Sequence, residues 1–66
     1  MKAKNAIIGA KVMIKKSSSF YLGTPSNPIN SVGTISYIKE RGLPVRVAWE
    51  DGYNSYNYED LKLVKE

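Results

Sequence analysis

From Leu43 to Trp49 the chain alternates. Val45, Val47 and Trp49 fall on one side, Arg46 and Ala48 on the other. A period of two is the mark of a half-buried antiparallel strand. The run leads straight into Glu50-Asp51-Gly52, and Asp-Gly is a strong short hairpin signal because Gly tolerates positive φ. Tyr53 to Tyr58 follows, aromatic and polar, with Tyr56 and Tyr58 expected on one face. One hairpin is thus written into the sequence, and the remaining segments have to pack around it.

Those segments also read as strands. Lys11-Val12-Met13-Ile14-Lys15 is short, β-branched and flanked by Gly9 and a Ser run. Val32 to Lys39 is rich in strand formers, and Leu61 to Val64 makes a short last strand. Glu40-Arg41-Gly42 is a tight reversal, and Pro44 sits at a strand start, where its missing N–H does least harm. Glu59-Asp60-Leu61 fits one helical turn. Ser17 to Ser31 is the one long loop. It carries Phe20, Tyr21, Leu22 and Ile29, and apolar anchors of this kind make a loop ordered.

A rival reading exists for the N-terminus. Ala3, Ala6, Ile7, Ala10, Met13 and Ile14 fall on one helical face with Lys4, Lys11 and Lys15 opposite, as in a basic amphipathic helix. Gly9 inside the run, and Ile8 and Val12 off the stripe, argue for a strand instead.

With 66 residues there is room for one domain, spanning 1–66, with its core at about 9–64 and residues 1–8 as an extension. The expected fold is all-β: a small five-stranded antiparallel SH3-like barrel with one long first loop. Closing a sheet on itself removes exposed edges, which a chain this short can ill tolerate. Val12, Ile14, Ile35, Val45, Val47 and Leu61 are the expected core.

Gly9-Ala10-Lys11-Val12, Val32-Gly33-Thr34-Ile35, Val45 to Gly52, and Asn54 with Tyr56 resemble the Mind bomb/HERC-type domain. That family is an SH3-like barrel of large ubiquitin ligases, with Glu50-Asp51 here in place of its Asp-Asn. The sequence also resembles small uncharacterised proteins of tailed bacteriophages, through Trp49 to Gly52, Asn54-Ser55-Tyr56 and Asp60-Leu61. The resemblance implies the fold and, from the ligases, a protein partner.

Composition narrows the chemistry. There is no Cys and no His, which removes thiolate chemistry, the commonest general base and the commonest metal ligand. Ser36-Tyr37-Ile38-Lys39 has a nucleophile–base spacing that works on a helix, whereas on a strand its ends face opposite sides. The pairs Glu50-Asp51 and Glu59-Asp60 read as solvated turn formers, and the glycines are too dispersed for a phosphate loop. No enzyme activity, metal or cofactor is expected. No apolar run approaches the ~20 residues of a membrane span. The stretch after the basic start is too short for a signal peptide. The chain therefore reads as cytoplasmic, in the host cytoplasm if it comes from a phage.

Two surfaces are candidates for binding. The first is a groove between the long loop and the Asp-Gly hairpin, with Phe20, Tyr21, Trp49, Glu50, Asp51, Tyr53 and Tyr56 as its residues. Aromatic faces ringed by carboxylates attract cations, so its ligand would be a basic protein or peptide segment. The second is a nucleic-acid face built from Lys11, Lys15, Lys16, Lys39, Arg41 and Arg46, with Tyr21 or Tyr37 for base stacking. Charge is also bipolar. Residues 1–49 hold eight Lys and Arg against one acid, and residues 50–66 hold two Lys against five acids. Head-to-tail self-association follows as a third option.

Overall fold

The computed structural model describes residues 1–64. Its strands are β1 (Lys11–Ile14), β2 (Gly33–Ile38), β3 (Val45–Trp49), β4 (Gly52–Tyr56) and β5 (Leu61–Leu63). Single 3-10 turns occupy Ala3–Asn5 and Tyr58–Asp60. Each strand lies within two residues of its expected bounds. Tyr58 falls in the second turn, so it does not share a strand face with Tyr56 as expected.

Every neighbouring pair is antiparallel, in the order β4-β3-β2-β1-β5. No ladder joins β4 to β5 among the described residues, so the sheet is open rather than closed on itself. The β4 edge is nonetheless blunted. The Ser55 N–H donates to Asn54 Oδ1 at 2.9 Å and the Asn57 N–H to Asp60 Oδ2 at 3.0 Å. Side chains thus occupy donors that an open edge would offer to another chain.

Alternation puts one face of each strand into a single core. Val12, Ile14, Ile35, Val45, Val47 and Leu61 are buried, joined by Trp49 and Tyr56. The cluster is closed by a glycine. A Cβ at Gly33 would stand 2.5 Å from Val47 Cγ1 and 2.6 Å from Trp49 Cε3 and Cζ3, so only a bare backbone fits beneath the indole.

The hairpin differs from its sequence reading in one respect. Trp49 pairs with Gly52, which makes Glu50 and Asp51 the two central turn residues. Neither has a positive φ. Gly52 is therefore not the residue that reverses the chain, and both carboxylates sit at the tip. In the β2–β3 connection Gly42 does adopt a left-handed φ of 71°. There the Lys39 N–H donates to Pro44 O at 2.7 Å.

The N-terminal extension, residues 1–8, contacts the rest of the domain. The Met1 amino group donates to Tyr58 O at 3.0 Å and Leu61 O at 2.9 Å, and Met1, Ala6 and Ala10 pack on the core. The rival helix does not form. Gly9 has φ 96° and donates its N–H to Ile35 O at 2.8 Å, which ends the first turn and delivers the chain to β1.

Asp60 corrects a second expectation. Glu59 is exposed, but Asp60 is buried. Its Oδ1 accepts from Ser18 Oγ at 2.9 Å, its Oδ2 accepts from the Asn57 N–H, and its carbonyl accepts from the Lys15 N–H at 2.8 Å. One side chain therefore ties the exit of β1 to the turn before β5. Removing it strands two donors, so Asp60→Ala should cost about 1–3 kcal/mol in urea unfolding. A denaturation midpoint equal to that of the unaltered chain would contradict this role.

Candidate functional site

Tyr56 positions the long loop. Its hydroxyl accepts from Trp49 Nε1 at 2.9 Å and lies within donating distance of Asn27 Oδ1 at 2.9 Å and Ser26 O at 3.1 Å. Asn54 Nδ2 donates to the same two acceptors, at 3.0 and 3.3 Å. Burial pushes the Tyr56 phenol above its ordinary pKa, against the opposing effect of the hydrogen bond from Trp49. The loop segment so held is a β-turn. The Asn27 N–H donates to Thr24 O at 3.0 Å, and Pro25 takes the second turn position, where its fixed φ is favoured.

Between this turn and the β3–β4 hairpin lies a cavity of about 250 Å³. Pro25, Pro28, Ser31 and Val32 line its loop side, and Trp49, Glu50 and Asp51 its hairpin side. The indole is fixed by its bond to Tyr56 and is only 7% exposed. Glu50 and Asp51 are both exposed. Pockets that hold cofactors and drug-sized molecules run from about 300 to 1,000 Å³, so this one suits a single side chain with its backbone. Among the described residues no group of three or more His, Cys, Asp or Glu is placed to hold a metal ion.

The lining of this cavity overlaps only in part with the seven residues expected of a groove between the long loop and the hairpin. Trp49, Glu50 and Asp51 belong to it. Tyr56 does not: it is fully buried, because a phenol with three polar neighbours and two aromatic ones is a core residue. Phe20 packs edge-on against Tyr56, ring centroids 5.3 Å apart, and Tyr21 is half-buried against the same core. Tyr53 is exposed and lies outside this lining, with the Arg46 guanidinium carbon 4.1 Å from its ring centroid. The sequence reading missed Pro25, Pro28, Ser31 and Val32. The signal that marked them was Thr24-Pro25-Ser26-Asn27-Pro28, a turn former followed by a second proline, opposite the hairpin.

The basic residues do not gather into one patch. Lys11 and Arg46 point outward from the sheet, and the Lys11 ammonium donates to Thr34 Oγ1 at 2.7 Å. Lys15 and Lys16 lie beyond the other end of β1, while Lys39 and Arg41 flank the β2–β3 turn. Ser36 Oγ donates to Arg46 O at 3.3 Å. Comparison with family models, curated proteins and solved structures gives no match for this chain.

Proposed function

We propose that this chain is a non-catalytic binding module that takes a basic protein or peptide segment into the groove between the Thr24–Asn27 turn and the Glu50-Asp51 tip. The observation that carries this reading is the pairing of an apolar wall, Pro25, Pro28 and Val32, with two exposed carboxylates across one small cavity. An arginine or lysine side chain can lay its methylene stem on the wall and its charge against the rim. The strand order, the long first loop and the 3-10 turn before β5 support an SH3-like barrel as the frame. The resemblance to Mind bomb/HERC-type domains favours a protein partner.

Trp49 is the only tryptophan and lines the groove, so its fluorescence reports occupancy directly. Titration with a peptide of alternating arginine and proline should change Trp49 emission saturably. Glu50→Lys with Asp51→Lys should weaken that binding about tenfold or more, since like charges across an interface repel. An emission that never responds, or an affinity untouched by the double reversal, would overturn the reading.

A further inference from the structure

The outward face of the sheet is a second, chemically opposite surface. Register sets side chains in rows across it. Lys11 pairs with Thr34, Thr34 with Ala48, and Ala48 with Tyr53. In the next row Tyr37 pairs with Arg46 and Arg46 with Ser55. A register shift between Ile35 and Tyr37 leaves both Ser36 and Tyr37 exposed, where a regular strand would turn one of them inward. Tyr37 is 53% exposed and Tyr53 63%. Arg46 lies between them, its guanidinium over the Tyr53 ring, and its buried Nε has no hydrogen-bond partner. Lys62, opposite Met13 on β5, extends the face at its other side.

None of these outward positions carries a carboxylate. Glu40 lies in the β2–β3 turn, Glu50 and Asp51 in the β3–β4 turn, and Glu59 and Asp60 in the 3-10 turn. Among the described residues the sheet face therefore interleaves π surfaces with cations and no carboxylate, the reverse of the groove. Tyr37 and Tyr53 stand on strands two apart, a separation of about 10 Å across the sheet. Arg46 lies over one face of the Tyr53 ring, and the residue is still largely exposed. Planar rings flanked by Lys and Arg are what single-stranded nucleic acid needs, the rings for bases and the cations for phosphates.

The geometry points to a single-stranded nucleic-acid platform on this face, centred on Tyr37, Arg46 and Tyr53 and independent of the groove. The test is fluorescence anisotropy of labelled oligodeoxythymidylate at low and rising salt. Binding at low salt should weaken as salt rises, by counterion release. Tyr37→Ala and Tyr53→Ala, both at exposed positions, should each weaken it by about 5- to 150-fold with unchanged circular dichroism. Glu50→Lys with Asp51→Lys should leave it intact or tighten it, which separates this site from the groove. Three results would overturn the proposal: no binding at low salt, equal affinity for a duplex, or loss on Lys15→Glu with Lys16→Glu while the tyrosine variants bind normally.

Discussion

Tyr56→Ala is expected to leave the chain unfolded at room temperature. The ring is fully buried and meets Phe20 and Trp49 edge-on, at centroid distances of 5.3 and 6.0 Å. Truncating a buried aromatic ring costs about 3–5 kcal/mol. A single core in a chain this short supplies about 3–5 kcal/mol in all, so nothing is left over. Tyr56→Phe keeps the ring and removes only the hydroxyl, which strands Trp49 Nε1 and leaves Asn27 Oδ1 with Asn54 Nδ2 as its remaining donor; its cost should be about 1–3 kcal/mol. Circular dichroism during thermal melting distinguishes the two. A folded Tyr56→Ala with an unchanged melting temperature would contradict the assignment.

The same hydroxyl sets an alkaline limit. Burial raises the folded pKa of Tyr56 above the value of about 10 in the unfolded chain. The folded state therefore holds this proton more tightly. Its contribution is complete below pH about 10 and is lost as pH rises through the folded value. Stability should fall as pH rises from about 10 through the folded value, and Tyr56→Phe should flatten the decline.

Gly33→Ala is expected to cost about 1–3 kcal/mol and to displace the indole. The new methyl group would meet Val47 Cγ1 at 2.5 Å and the Trp49 ring at 2.6 Å, both deep in the core. The Trp49 side chain moves more readily than the β3 backbone, and the groove it lines is open space beside it. The altered chain should melt earlier and shift its tryptophan emission toward that of an exposed indole. Wild-type emission together with wild-type stability would show that the glycine is not needed there.

Local features were the most legible. Alternation at Val45, Val47 and Trp49 fixed the inward face of β3, and every expected core residue is buried. The five strands followed from short apolar runs between turn formers. Three things depended on tertiary partners and so were hidden. Tyr56 and Tyr53 are both tyrosines of one strand, and only the register with β3 decides which enters the core and which meets Arg46. Asp60 looks like any turn acid until Ser18, forty-two positions away, donates to it. The groove wall lies in a loop without periodicity, and its prolines reach the hairpin only because Tyr56 and Asn54 hold the turn beside it. Sheet closure was equally beyond reach: the turn between β4 and β5 could be read from Glu59-Asp60-Leu61, but whether the two edge strands then pair depends on the twist of the whole sheet.

Mapping amide and indole nitrogen–proton shifts during titration with the arginine-proline peptide locates the bound peptide on one face or the other. The groove reading predicts shifts at Ser31, Val32, Glu50 and Asp51 and at the Trp49 indole N–H, with Lys11, Tyr37 and Tyr53 unmoved. Shifts confined to Lys11, Tyr37 and Tyr53, with a silent Trp49 indole, would contradict it.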